Sequence, residues 1–241
     1  MAFSDNNFRN MISAATATAL AELITLPICT IKTNYQNVVN PNQKISMKVV
    51  IMDIYNRDGI RSFYKASYPA ILGQMFSTTS KYVLYKYLDT NKDYPIKNKF
   101  LNGMTAGILS SLITHPLDVI RVHLQMGKNI PKVSISNFYL GYSKTLFKIT
   151  VSSSLFFPLY EIVKSEISNP IFSATVSGII ATICMHPIDY LKTRQMTGLK
   201  IYNGLNPLNY YRGLTLNLLR IVPHFAITMS LIEYFNSYFL Q

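Results

Sequence analysis

Three prolines stand in matching contexts, and no other feature of this sequence limits its fold as tightly. The first is embedded in Leu26-Pro27-Ile28-Cys29-Thr30-Ile31-Lys32, the second in His115-Pro116-Leu117-Asp118-Val119-Ile120-Arg121, the third in His186-Pro187-Ile188-Asp189-Tyr190-Leu191-Lys192. The shared pattern is proline, any residue, acid, two residues, base; it is complete in the second and third copies, and Cys29 takes the place of the acid in the first. An acid and a base three residues apart are an ordinary helix-surface pair when they occur once. Three copies in register indicate an internal repeat.

The register extends in both directions. Small residues stand thirteen and nine places before each proline: Ala14 and Thr18, Gly103 and Gly107, Ala174 and Gly178. Small residues four apart let helix backbones approach closely in a bilayer. Nine places after the prolines stand Gln36, Gln125 and Met196, and further on come Tyr64-Lys65-Ala66, Tyr139-Leu140-Gly141 and Tyr211-Arg212-Gly213, each opening another apolar stretch. Every repeat therefore reads as helix, polar loop, helix. The predicted spans are 8–37 and 67–89, 98–126 and 140–166, 170–197 and 213–239, within repeats at about 8–92, 98–168 and 170–239 of a single domain, 1–241.

Composition places these helices in a membrane. Hydrophobic residues make up 49% of the chain and charged residues only 14%, against about 25% charged in a typical soluble domain. The apolar segments 10–28, 100–113 and 171–185 are interrupted by Ser, Thr and Gly, as suits helices with one lipid face and one face on a polar cavity. Basic residues concentrate in the longer loops (Lys44, Lys48, Arg57, Arg61, Lys65, Lys128, Lys132, Lys200), which by the positive-inside bias face the matrix-like side. Residues 1–10 carry neither a basic region before an apolar core nor an Arg-rich transit pattern, so any targeting signal is expected to be internal.

Several chemistries find no support. Cys29 and Cys184 lie in apolar segments without CxxC or Cys/His spacing, so neither zinc nor a disulfide framework is indicated. His115 and His186 occupy equivalent repeat positions, but without acidic or thiol company they read as structural or cavity-lining groups. No nucleophile triad, paired-carboxylate site or phosphate loop appears, so no enzymatic activity and no cofactor are expected. The net charge of +12 is compatible with nucleic acid, an anionic surface or an anionic solute. A nucleic-acid binder would cluster its charges on one exposed face, whereas these recur at matched positions inside apolar helices, so nucleic acid is not an expected partner.

The triplicated motif resembles the signature of the mitochondrial carrier family, Pro-x-(Asp/Glu)-x-x-(Lys/Arg) followed after a loop by (Asp/Glu)-Gly-x4-aromatic-(Lys/Arg)-Gly. Repeat one matches the second half at Asp58-Gly59 and Tyr64-Lys65, with Ala66 for the last glycine, and repeat three keeps Tyr211-Arg212-Gly213. The resemblance implies an all-α membrane protein, six transmembrane helices in three tandem two-helix repeats around a central cavity with pseudo-threefold symmetry. It implies a monomeric transporter of the mitochondrial inner membrane in contact with lipid, cardiolipin above all. The loops from Gln125 to Gly141 and from Met196 to Gly213 are too short for a full surface helix and lack Asp-Gly, so those helices should be trimmed, and with them their lipid contacts.

Carried over residue by residue, the resemblance implies a matrix gate in which Asp118 meets Lys192 and Asp189 meets Lys32, while Arg121 is left with Cys29. Gln36 and Gln125 would brace the pairs from beneath; Met196 is ill suited to that role. The opposite gate is poorly written: Tyr160-Glu161-x-x-Lys164 fits the family pattern, Tyr85-Lys86-x-x-Asp89 reverses it, and the last helix keeps Glu233 with Asn236 at the base position. Counting seven residues past Ala66, Gly141 and Gly213 reaches Gly73, Lys148 and Arg220, the depth at which the family contacts solute, with Gln74 and Ile149 following. Lys81 lies two turns beyond Gly73, Lys144 one turn before Lys148, and Glu22 is the one acid in the upper part of the first helix.

A cavity with several cations and little opposing charge favours an anionic solute. Lys148, Arg220 and Lys81 suit the distributed charge of a phosphorylated solute, and Gln74, Ser77 and Thr78 suit a base or sugar, so a nucleotide is the expected cargo. A di- or tricarboxylate is the alternative. The Arg-Arg-Arg-Met-Met-Met run of ADP/ATP carriers is absent, its place taken by Lys192-Thr193-Arg194-Gln195-Met196. A carrier-like scaffold without transport is the rival from another class, opposed by the retained charges at Asp118, Asp189, Lys148 and Arg220.

Overall fold

The three proline-centred stretches fold as three long helices, each followed by a second long helix. A computed structural model describes residues 5–38, 45–90, 99–132, 134–166, 170–201, 204 and 206–239. In chain order the helices are α1 (Asp5–Gln36), α2 (Met47–Asp58), α3 (Arg61–Tyr64), α4 (Ser67–Thr90), α5 (Lys99–Gln125), α6 (Ile135–Phe138), α7 (Tyr142–Glu166), α8 (Pro170–Met196) and α9 (Leu214–Phe239), with a 3-10 turn at Pro207–Tyr211. The six long helices are those predicted, with ends within a few residues. Pro27, Pro116 and Pro187 all lie inside helices.

The long helices close into a ring: α1 packs on α4, α4 on α5, α5 on α7, α7 on α8, α8 on α9, and α9 returns to α1. Packing between successive repeats, α4 on α5, α7 on α8 and α9 on α1, is extensive, as is that of α1 on α4 within repeat one, so each repeat depends on its neighbours for its core. Among the described residues there is no strand. Hydroxyls within apolar surroundings are satisfied by their own helix: Thr16, Thr18 and Thr25 each donate 2.8 Å bonds to the carbonyl four residues back.

Two helical stretches, Phe8–Gln36 and Pro207–Phe235, are apolar enough along an extended window to read as spans on hydropathy alone, with mean hydropathy 1.6 and 1.4. The loops shorten as expected. Repeat one has the twelve-residue α2, repeat two only the four-residue α6, and repeat three a 3-10 turn. Two of the small residues, Gly103 and Gly178, serve a different end from the close approach predicted. Gly107 meets Ile149 as expected, but a Cβ at Gly103 or Gly178 would touch nothing within 4 Å. Both glycines line cavity, where the absent side chain leaves room for solute.

Two glycines have a conformational reason. Gly141 and Gly213 precede α7 and α9 at φ 83° and 85°, a left-handed backbone that costs an L-residue roughly 1–2 kcal/mol. A Cβ at Gly213 would also lie 3.2 Å from Gln36 Cγ. Ala66 takes the equivalent place in repeat one without positive φ, which is why repeat one tolerates a side chain there.

Candidate transport site and gate

The C-terminal ends of α1, α5 and α8 converge, bringing the three motifs together. Both predicted ion pairs form there. Lys32 Nζ donates to Asp189 Oδ2 at 3.1 Å, and Lys192 Nζ donates to Asp118 Oδ2 at 3.2 Å. Lys32 has a second acceptor in Asn217 Oδ1 at 2.9 Å, which ties α9 into the network. Partly buried pairs of this kind recover their desolvation cost only with such additional bonds.

Arg121 corrects the sequence reading. It donates to Cys29 Sγ at 3.0 Å, as placed, but it also forms an ion pair with Glu22. Glu22 is 2% exposed and accepts a second guanidinium, Arg220, at 3.1 Å. His224 Nδ1 lies 3.9 Å away. Glu22 thus joins the charge network, a place the motif count passes over. Its signals are its position as the lone acid in the apolar length of α1 and the base at Arg121 left without an acid.

The cations assigned to solute are likewise not unopposed. Lys148 forms an ion pair with Asp189, and Arg220 with Glu22. They line the cavity nonetheless. One lobe, of about 290 Å³, is walled by Lys32, Lys148, Asp189, Asn217 and Arg220; a second, of about 360 Å³, by Ser77, Lys81, Ser111, Thr114, Asp118 and Ile149. Lys148 and Ser152 line both, so the lobes meet at α7. Lys81 has no ion pair among the described residues and faces the second lobe. Across the two lobes and the gate, the cations still outnumber Glu22, Asp118 and Asp189.

Gly73 and Gln74 line neither lobe. A Cβ at Gly73 would lie 3.6 Å from Leu117 Cβ, so this position packs on α5 beside the gate, and Ser77 and Lys81, one and two turns further along the same stripe, reach the cavity instead. Lys144 is half-buried and also outside both lobes. Thr78 bonds to Thr18 at 3.2 Å between α4 and α1.

The glutamine braces are also corrected. The side-chain amide of Gln36 has no hydrogen-bond partner among the described residues, and Gln125 Oε1 accepts from Thr33 Oγ1 at 2.7 Å rather than from a gate charge. The layer beneath the ion pairs is built from helix-end carbonyls. Arg194, 1% exposed, donates to Val38 O at 2.9 Å and Gln36 O at 3.3 Å; Asn34 donates to Gln125 O at 2.8 Å; Lys128 donates to Thr197 O at 3.3 Å. Thr197 Oγ1 adds a 2.9 Å bond to Asn37 Oδ1, and Arg57 reaches Met126 O at 2.9 Å. The last carbonyls of a helix lack internal donors and attract cations, so these bonds pin the three ends together.

His115 and His186 have structural partners, the backbone oxygens of Leu140 at 3.2 Å and Arg212 at 3.1 Å, and in repeat one, at a different register, Thr30 donates to Phe63 O at 2.9 Å. At the opposite end, Lys86, Asp89, Lys164 and Glu233 make no ion pair among the described residues. The side chains of Glu161, Ala174 and Asn236, and all of Lys44, lie outside the described residues.

A ring of six helices in three repeats, sealed at one end by motif charges around a cationic cavity, defines a membrane solute carrier. The profile described as mitochondrial carrier protein matches residues 3–93, 92–136 and 164–241, and the chain belongs to the mitochondrial carrier family, whose members are transporters rather than enzymes. Most of α7 falls outside the matched residues, yet it takes its expected place between α5 and α8. Over 238 residues the chain is 50% identical to a mitochondrial carrier-like protein of Acanthamoeba polyphaga mimivirus, covering 97% of this chain and 98% of the relative. It is 24% identical to mitochondrial thiamine pyrophosphate carrier 1 of Lodderomyces elongisporus, over 94% of this chain and 89% of that protein. It is 25% identical to the thylakoid ADP,ATP carrier protein of Arabidopsis thaliana, over 90% and 62%.

Proposed function

We propose that the chain exchanges anionic phosphorylated solutes, nucleotides foremost, across the mitochondrial inner membrane by alternating access, as a monomer. The observation that carries this reading is the cationic lining of the cavity. Lys32, Lys148 and Arg220 face one lobe with Asp189 as the opposing acid, Lys81, Lys148 and Lys192 face the other with Asp118, and Ser77, Ser111 and Thr114 add neutral hydrogen-bonding groups there. A nucleotide has a polyanionic end and a polar neutral body, and charge-assisted bonds to phosphate are the stronger ones. Relatives named for thiamine pyrophosphate and for ADP and ATP are consistent with phosphorylated cargo.

The gate supports the alternating-access reading. Lys148 and Arg220 are each bound to an acid, so an incoming anion must draw them away from Asp189 and Glu22. A solute opens such a gate only by binding better once it is open. Lipid contact is supported in repeat one, where α2 exposes Val49, Met52 and Tyr55 on the molecule's surface. The test is counter-exchange by purified protein in liposomes loaded with a panel of nucleotides and carboxylates. Exchange of nucleotides is expected. Exchange of carboxylates alone refutes the solute class, and no exchange with any anion refutes transport.

A further inference from the structure

The first motif lacks its acid, and the charge that serves Arg121 stands elsewhere on the same helix. Glu22 precedes Cys29 by seven residues, the same stripe of α1 about two turns, or ~10 Å, further into the ring. Arg121 spans both, bonding Cys29 Sγ at 3.0 Å and pairing with Glu22. The displacement brings the acid within reach of α9, where Arg220 binds it at 3.1 Å. The Glu22 side chain is 3% exposed, while Arg220, 24% exposed, lines the cavity and keeps its Nε without a partner among the described residues.

We propose that Glu22 is the third gate acid of this carrier and that it competes directly with the anionic group of the solute for Arg220. This rests on the anion-carrier reading above. An acid at position 29 would hold Arg121 and leave Arg220 to the solute alone. Moved two turns along the helix, the acid holds α5 and α9 to α1 together, and one of its two guanidiniums stands in the path of the solute. An anion that takes Arg220 removes one of the bonds closing α1 against α9, so occupancy of the cavity is transmitted to the gate.

Closing the gate and competing with solute are separable by mutation. Glu22→Gln removes both. Glu22→Gln with Cys29→Glu returns an acid to Arg121 at the motif position but leaves Arg220 free. Melting in detergent without solute, the KM for ATP exchange and ATP efflux without counter-solute are measured for each. For Glu22→Gln, Tm should fall by about 5 °C or more, because a buried acid leaves two guanidiniums behind. Its KM should fall about three-fold or more, because a competitor is gone, and efflux should rise. The double variant should recover Tm and suppress efflux while its KM stays low. An unchanged Tm in Glu22→Gln overturns the gate role. A KM that is unchanged in Glu22→Gln, or that returns to the native value in the double variant, overturns the competition. Should the native protein fail to exchange ATP, the nucleotide reading fails, the KM is measured with whichever anion the panel shows to exchange, and the melting arm decides the gate role by itself. Glu22→Asp, with smaller shifts in the same directions, replaces Glu22→Gln if that variant does not fold.

Discussion

Asp189 is the acid whose loss should disturb the gate most. It accepts Lys32 at 3.1 Å and pairs with Lys148, so it joins α8 to both α1 and α7. In Asp189→Asn the carboxylate becomes a neutral amide and two ammonium groups lose their counter-charge. Breaking a fully buried pair from one side costs about 3–5 kcal/mol. Lys32 is 12% exposed and keeps Asn217, and Lys148 is 35% exposed, so both retain some solvation. The lower end of that range, about 3 kcal/mol, is therefore the expected loss. For a chain of this size that corresponds to about 6–12 °C in Tm. Exchange in liposomes should fall nearly to zero, because the carrier can no longer hold the motif end shut. The assay pairs thermal melting in detergent with labelled counter-exchange, and Asp189→Glu serves as the charge-preserving control. A variant that melts within about 1 °C of the native protein and exchanges normally would show that the convergence of these charges is incidental.

Lys192→Ala should reduce exchange severely, and the swap Asp118→Lys with Lys192→Asp should recover part of it; equal transport by the single and swapped variants contradicts the 3.2 Å pairing. Gly213→Ala meets both a positive φ and Gln36 Cγ at 3.2 Å, so Tm should fall by the equivalent of about 1–2 kcal/mol, against no fall for Gly103→Ala, where a Cβ has open space inside a helix. Arg194→Lys keeps the charge but loses the planar guanidinium whose Nε donates to Lys200 O while Nη1 donates to Val38 O and Gln36 O, and melting should drop by several degrees with KM unchanged; an altered KM would place Arg194 in the solute path instead.

The helices were legible because each signal was local and repeated: an apolar run, a proline at a fixed place, a small residue before the next run. The repeat also marked the charges at Lys32, Asp118, Asp189 and Lys192, while their pairing, Asp118 with Lys192 and Asp189 with Lys32, came from the family resemblance. What stayed hidden departs from the repeat. Glu22 has no counterpart in the other motifs, so superposition gave it no partner. Gly73 was misplaced because counting residues from the start of each second helix assumes equal depth, whereas α4 brings Gly73 level with Leu117 beside the gate. The carbonyl collar beneath the gate could not be found from residue types at all, because its acceptors are backbone atoms, available at any helix end regardless of sequence.

Competition in the exchange assay tests the central claim most directly. Unlabelled nucleoside triphosphates, malate, oxoglutarate and citrate are each added at equal concentration against labelled ATP, with the native protein and with Lys148→Ala and Arg220→Ala in parallel. The account predicts that nucleoside triphosphates inhibit strongly and the carboxylates weakly. It also predicts that each variant loses ten-fold or more in exchange, about the worth of one charge-assisted phosphate contact. Strong inhibition by the carboxylates with none by nucleotides would contradict the assignment of solute, and full exchange by both variants would remove these cations from the transport path.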